Sequence, residues 1–337
     1  MNTKQIVFTD INKAELLDVE LTEIGPHSVA VRTAVSTVSP GTERANISGD
    51  PNVSPNGAPC ISFPRTSGYN SAGEVIAVGS AVKSVKVGDR VVVYWGKHIG
   101  INIVDENNVV KIENDSISLE EAAISFIATF PMAAIRKTRL EMGESALVMG
   151  LGLLGMIAVK LLRAAGAVPI IAADPNPARR AIALENGADY ALDPFEDDFA
   201  KRVKEISGGG VKVAIEVTGV GKGFDQALDC MARFGRVALL GCTRSSDFTI
   251  DYYRKIHAPG ITVIGAHTIA RPDSESHPGW FTHRDDIKAV LKLCGGGRLT
   301  LTNIVGGTYS PKECEEVFDR LVNDRSFPIT VQFDWRK

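Results

Sequence analysis

Through the first third of the chain, apolar residues either alternate with polar ones or run together in short groups, and both patterns predict strands. Residues 5–9, 15–21, 28–35, 72–79 and 89–94 lie between Gly, Pro and Asn signals, the pattern of a small all-β barrel or sandwich. Residues 47–65, with Pro51, Pro55, Pro59 and Pro64, predict a long loop of the kind that carries function or a lid. From Leu119 the spacing turns helical, with Ser118 as N-cap and Glu121 as the acid of a capping box. Strand and helix signals then alternate, with strands at 145–149, 168–173, 189–192, 211–217, 235–240 and 260–265. Helices at 284–293 and 311–322 and a last strand at 328–334 follow. Such alternation predicts an α/β fold with a doubly wound parallel sheet of about six strands.

The strongest local signal is the first of those strands. The apolar run 145–149 ends in Gly150, Gly152 and Gly155 at G-x-G-x-x-G spacing, and Leu153 and Leu154 open a helix-compatible stretch. Gly150 suits the tight strand-to-helix turn, Gly152 the approach of a pyrophosphate, and Gly155 close packing of helix on sheet. The phosphates would meet free N–H groups at a helix N-terminus. An ordinary buried βα turn has the same glycines, so the flanking context carries the reading. Asp174 ends the next strand, where a carboxylate accepts the ribose hydroxyls and opposes a 2′-phosphate. NAD is expected over NADP. Arg179 and Arg180 follow on a predicted helix, where a phosphate contact and a solvated face are both open readings.

Composition narrows the classes. A chain of 337 residues is expected to form about two domains. With 44% hydrophobic and 23% charged residues and a net charge of -3, it offers no electrostatic footprint for nucleic acid or an anionic membrane. No secretory h-region and no membrane-length apolar run is present, so a cytoplasmic location is expected. The five cysteines, Cys60, Cys230, Cys242, Cys294 and Cys314, form no C-x-x-C pair and describe no disulfide framework.

With Val87-Gly-Asp-Arg-Val in the β-rich part and the glycine fingerprint behind it, the chain resembles the medium-chain dehydrogenase/reductase superfamily, the zinc alcohol dehydrogenase and quinone oxidoreductase group, along essentially its whole length. The resemblance implies a GroES-like β-barrel catalytic domain at 1–124, a Rossmann NAD-binding domain at 125–268 and a return to the catalytic domain at 269–337. It implies a small-molecule substrate and a homodimer paired through the strand near 260–265, with a tetramer also open. It also shows departures. Where zinc members carry Cys-Gly-Thr/Ser-Asp, this chain reads Val38-Ser39-Pro40-Gly41-Thr42-Glu43-Arg44. Their Gly-His-Glu is Gly68-Tyr69-Asn70, and their third ligand corresponds to Ser125. No metal is therefore expected, and the signatures resemble a zinc-free branch that includes bacteriochlorophyllide dehydrogenases and sugar or polyol dehydrogenases.

Without a Lewis acid, another group must take the hydroxyl proton. Tyr69, in place of the lost histidine, Glu43, Lys97 and His98 are the candidates, with core packing the competing role for Tyr69 and His98. Arg44 and Trp95 are candidate substrate contacts. A second cluster, 267–284, holds three of the six histidines, and His267 and Arg271 are its first choices for gripping hydroxyls or a carboxylate. A surface or dimer-contact loop is the other reading, and a metal held by His277 and His283 the least favoured. The resemblance adds Thr129, Thr218, Gly241, Gly265 and His267 as coenzyme contacts. The expected function is zinc-independent, NAD-dependent hydride transfer on a secondary alcohol or ketone of a sugar, polyol or sugar acid. An NADPH-dependent quinone or enoyl reductase and a non-catalytic nucleotide-binding protein are the alternatives.

Overall fold

A computed structural model describes residues 2–51, 62–243 and 245–337, so Cys60 and most of the proline-rich loop at 47–65 lie outside the described residues. The chain forms two units, Met1–Ile127 with Ile287–Lys337, and Ala128–Asp286.

In the first unit, Ser28–Thr37 is the hub of a seven-stranded sheet. It pairs antiparallel with Asn70–Val78 along one edge. Along the other it pairs with Ile101–Asp105 and then with Thr330–Asp334, which arrives from the far end of the chain. Its β-branched residues suit a strand buried on both sides. Val29 and Val31 join Val75, Val91 and Val93 in one core. A smaller sheet places Asn2–Asp10 between Lys13–Glu20 and Arg65–Thr66. A second core draws Ile6, Phe8 and Val38 together with Phe318 and Phe333. The rings of Phe8 and Phe318 meet edge-on at 4.9 Å. The first unit is thus built from both ends of the sequence.

Ser118 accepts from the Glu121 amide at 3.1 Å, as a cap should. The Glu121 carboxylate does not complete the box. It reaches the Thr302 amide at 3.2 Å and the Thr302 hydroxyl at 2.9 Å, fixing a distant turn of the same unit.

The second unit is a six-stranded parallel sheet. From one edge the strands run Tyr190–Leu192, Ile170–Ala173, Ala146–Met149, Val211–Glu216, Met231–Leu239 and Thr262–Gly265. The central strands read as unbroken apolar runs because both faces are covered. Chain direction across the sheet reverses at Ala146–Met149, next to Val211–Glu216, and in such sheets ligands bind beyond the carboxyl ends of the strands at that switch.

The return to the first unit comes at 287 and not at 269. Buried Asp286 explains the difference. It binds Arg271 of the intervening segment and Arg136 of the helix Ser125–Thr138, so 269–286 stays with the second unit. Among the described residues no helix is long and apolar enough to cross a membrane.

Phe318 has no exposed surface and joins both chain ends, so Phe318→Ala should cost about 3–5 kcal/mol. Chemical denaturation of the two proteins measures it, and a loss below about 1 kcal/mol would contradict this packing.

Candidate functional site

The glycine loop has the geometry that the spacing predicts. Gly150 adopts φ 95°, a left-handed conformation that disfavours side chains, and its amide donates to Ala173 O at 2.8 Å. At Gly155 a Cβ would lie 1.8 Å from Gly150 O, so only glycine lets the helix Leu153–Ala165 start this close to the strand. At Gly152 a Cβ would meet nothing within 4 Å. Open space therefore faces the helix N-terminus, bounded by buried Leu153 and half-buried Leu154, and offers free N–H groups to an anion.

Asp174 holds this loop in place. It is 5% exposed; one oxygen accepts from Leu151 N and the other from Asn176 N, both at 2.8 Å. A carboxylate has about four acceptor positions, which leaves capacity for hydroxyls. Arg179 lies 3.9 Å from Asp174 on the helix Pro177–Glu185, whereas Arg180 is spent on Asp193 and the carbonyls of Asp174 and Pro175.

On the other side of the switch point, buried Glu216 accepts from the amide of Thr218 at 2.7 Å and from its hydroxyl. Burial pushes the Glu216 carboxyl above its usual value, against the pull of these donors. The methyl of Thr218 packs beside Gly150, and Gly241 lets a second turn approach Gly219.

The helix Ser125–Thr138 collects the rest of this unit's polar groups. Lys137 Nζ donates to Gly265 O at 3.1 Å and to Ala270 O, and burial together with the charge of Arg271 lowers its pKa to about 8. Fully buried Thr129 pairs through Oγ1 with Nδ1 of His283 at 3.1 Å. Burial, aided by the charge of Arg271, drives the His283 pKa down to about 3, so this imidazole is neutral. His277 stands apart and stacks near Trp280, and His267 is half-buried in its own turn.

In the first unit, Tyr69 rests edge-on against Phe126 at 5.8 Å and beside Trp95 at 6.0 Å. Lys97 is exposed nearby in sequence. Around Tyr69, the Ser67 hydroxyl, Asn70 Oδ1 and the Ser71 hydroxyl are buried with no hydrogen-bond partner among the described residues. Such groups call for a partner from solvent or a ligand.

Four residues expected to touch substrate have other partners. His98 is 0% exposed, with Nδ1 on Ser36 Oγ at 2.7 Å and Nε2 on the Glu43 carboxylate at 3.1 Å. Glu43, 2% exposed, also accepts from Ser39 N at the start of the helix Pro40–Ile47. The pair is walled in by core aromatics, including Phe333. A proton relay needs an accessible nitrogen, and this one has none. Arg44 donates to Leu321 O at 2.8 Å, and Arg271 is held by Asp286 and by Thr129 O. Arg271, its side chain 5% exposed, braces the fold, whereas Arg44 stays exposed on the helix Pro40–Ile47.

Sequence reasoning named Thr129 and His283 separately but missed their pairing, and it did not single out buried Glu216 and Asp286. Asp286 left a trace, an acid directly before the apolar positions Ile287, Val290 and Leu291 of a helix.

A Rossmann sheet with an open glycine cradle, joined in one chain to a GroES-like domain, defines a two-domain dehydrogenase. Residues 25–114 match the alcohol dehydrogenase GroES-like domain and residues 154–278 the zinc-binding dehydrogenase domain. The chain is 28% identical to an L-threonine 3-dehydrogenase of Pyrococcus horikoshii, covering 91% of each. It is 30% identical to the (R,R)-butanediol dehydrogenase of Bacillus subtilis, covering 78% of this chain and 79% of the other. With a D-guloside 3-dehydrogenase of Escherichia coli it shares 27% identity over 77% of its length and 75% of the relative's. The crystal structure of 2R,3R-butanediol dehydrogenase from Bacillus subtilis superposes with a TM-score of 0.82 over 98% of this chain and 99% of that one, at 24% identity. The chain belongs to the zinc-type alcohol dehydrogenase family of the medium-chain dehydrogenase/reductase superfamily.

That family name implies zinc, and the residues present can be tested against it. Zinc takes Cys, His or carboxylate ligands. The corresponding positions hold Pro40, Tyr69 and Ser125, and the Ser125 hydroxyl already donates to Ala122 O at 2.6 Å with no exposed surface. Asn70 donates to Thr37 O at 2.9 Å. Among the described residues no three His, Cys, Asp or Glu side chains gather in one place. This donor set does not fit a catalytic zinc.

The neutral His283 sets a pH dependence. Its folded pKa, about 3, lies below the usual 6.5, so from pH 6.5 down to 3 the unfolded chain binds the proton and the folded one does not. Stability from this residue is present above pH 6.5 and is lost as pH falls, at up to about 1.4 kcal/mol per pH unit. His283→Asn should flatten the acid side of the stability curve, read by denaturant unfolding between pH 7 and 4. An unchanged slope would contradict the buried neutral imidazole.

Proposed function

We propose that this chain is an NAD-linked dehydrogenase that moves a hydride between the nicotinamide and a secondary alcohol or ketone of a small polyol, sugar or sugar acid, without a zinc ion. The open cradle before Gly152 at the helix N-terminus, with the Asp174 carboxylate one strand away, carries the coenzyme half of this reading. A 2′-phosphate would add about two negative charges beside that carboxylate. The donor set at 40, 69 and 125 carries the metal-free half and favours the zinc-free branch. The names of the three relatives, threonine, butanediol and guloside dehydrogenases, support a small hydroxylated substrate.

Bound NAD would supply the hydride acceptor. The chain's own residues do the rest. Leu153 and Leu154 amides and the helix dipole hold the pyrophosphate, and Asp174 the ribose. Thr129, fixed by His283, packs the nicotinamide side. Tyr69, seated on Phe126 and Trp95, places its hydroxyl on the reacting oxygen and stabilises charge there by hydrogen bonding. The released proton passes to solvent, and Lys97, exposed on the turn that follows Trp95, offers its ammonium donors to the substrate's hydroxyls. His98 and Glu43 keep the helix Pro40–Ile47 and the hub strand in register.

One observation favours a second reading. Arg179 stands 3.9 Å from Asp174 and is able to turn toward a 2′-phosphate, which suits an NADPH-linked reductase. Calorimetry with NAD and NADP separates the two, followed by NADH formation on a panel of polyols, sugars and sugar acids with chelator present. Tighter NAD binding and chelator-resistant turnover are expected. Gly152→Val should leave the melting temperature unchanged and weaken NAD by about tenfold or more, since its side chain fills the cradle and no protein atom. NADP preference moves the reading to the reductase, binding without turnover to a non-catalytic protein, and stoichiometric zinc overturns the metal-free site.

The proposal extends to a homodimer. Thr262–Gly265 is an edge strand of the parallel sheet, and Phe234, 70% exposed, lies beside Gly260 at its start. An uncovered apolar edge invites pairing. Light scattering should give twice the chain mass, and Val263→Lys should give the single-chain mass; a monomeric parent would sink the idea.

A further inference from the structure

A cavity of about 190 Å³ lies within the first unit, between the end of the strand Lys13–Glu20 and residues 95–104. At roughly 30 Å³ of liquid per water it has room for about six waters, the space of one small molecule and less than a drug-sized ligand needs. Gln5, Glu20, Trp95 and Lys97 are among the residues lining it.

Gln5 gives the clearest sign of a ligand. It is 5% exposed, and its Nε2 has no hydrogen-bond partner among the described residues. The backbone around it is held on both sides. Residue 5 pairs with Leu17 across one edge and with Ile99 across the other, and the Ile6 amide donates to His98 O. The backbone pairing fixes where the side chain starts, and at 5% exposure its amide lies out of reach of bulk water. Left unpaired, a buried N–H costs about 1–3 kcal/mol, and an acceptor entering the cavity would recover it.

The opposite wall is preformed. Trp95 is 45% exposed yet sits at φ 56°, a left-handed conformation unusual for so large a residue. Asn102 locks that turn, accepting from Lys97 N at 2.9 Å and donating to Lys97 O and to Thr33 Oγ1. At Gly96 a Cβ would stand 2.7 Å from Asn102 Oδ1, so the turn requires glycine. Phe126 supports the indole edge-on at 5.0 Å. The charged groups of Glu20 and Lys97 complete the lining, and among the described residues neither is in an ion pair.

This chemistry selects its ligand. An amide donor, a carboxylate acceptor and an ammonium donor around an indole face suit a molecule with several hydroxyls and a C–H face. A wholly apolar molecule would leave Gln5 unpaired and strip water from two charges. An anion would meet the Glu20 carboxylate. We infer that this cavity is a binding site for one polyhydroxylated molecule of about monosaccharide size. The site shares Trp95 and Lys97 with the dehydrogenase reading but does not rest on coenzyme binding, because no residue of the glycine loop takes part.

The test is calorimetry and saturation-transfer NMR on the full chain without coenzyme, using sorbitol and methyl glycosides as probes. Gln5→Met keeps the shape of a buried side chain while removing its amide, and Glu20→Ala removes an exposed carboxylate; equal melting temperatures confirm that both fold. Binding by the parent, weakened about tenfold or more in both variants, is the expected result. If the cavity holds the far end of the molecule being oxidised, one equivalent binds and Glu20→Ala raises KM. If it holds a separate molecule, two equivalents bind and Glu20→Ala loses one. No binding of any probe up to about 100 mM (about 1.4 kcal/mol), or binding untouched by both substitutions, overturns the inference. Since no coenzyme is present, a chain that binds polyol but turns none over sustains this site and sinks only the dehydrogenase reading.

Discussion

The second unit depends on one close approach. Where a Cβ on residue 155 would stand 1.8 Å from Gly150 O, the helix Leu153–Ala165 begins almost in contact with the strand it leaves. That contact fixes the helix axis over the sheet and aims its first N–H groups at open space instead of at protein. Asp174 makes the arrangement rigid by taking the Leu151 amide, so the carboxylate proposed to hold the ribose also shapes the loop. The anion site is therefore a consequence of packing, because the same missing side chains that let two backbones touch leave the helix terminus uncovered.

Much of this was legible in the sequence. The glycine spacing, the apolar runs and the acid at the end of the second strand each report a local requirement, and local requirements leave local patterns. The helix Pro40–Ile47 was harder to see, since its signal was only a serine before a proline with a glutamate behind it. His98 shows what sequence does not carry. It stands between exposed Lys97 and buried Ile99, and its burial follows from backbone bonds to Ile6 and Ser67, each distant along the chain. Polar residues in a binding cluster and polar residues in a core network have the same composition. The site boundary at 286 was hidden for the same reason, because Asp286 is defined by arginines 15 and 150 positions away.

The chain uses its buried and half-buried carboxylates in one consistent way. Glu43, Glu121, Asp174 and Glu216 each accept from backbone amides at a turn or a helix start, and Asp286 joins two guanidinium groups. A buried charge is tolerated when several donors surround it, and removing any one donor exposes the rest to the full cost of desolvation. Acids so engaged are poor proton acceptors for a substrate, since taking a proton would break the contacts that hold their loops. Under the zinc-free reading proposed above, the group that takes the place of a Lewis acid is therefore sought among neutral hydroxyls.

Within that proposal Tyr69 is the hydroxyl that packing favours. Its ring is fixed by Phe126 and Trp95, so packing sets the direction of its hydroxyl. Beside it stand three buried polar atoms with no partner among the described residues, at Ser67, Asn70 and Ser71. Buried polar atoms without a partner also occur at Gln5, Thr9, Arg236 and Thr268, but here three of them fall within five consecutive positions, 67–71. Unspent capacity of that kind is what a hydroxylated substrate can use, and a metal centre in the same place would have needed charge instead.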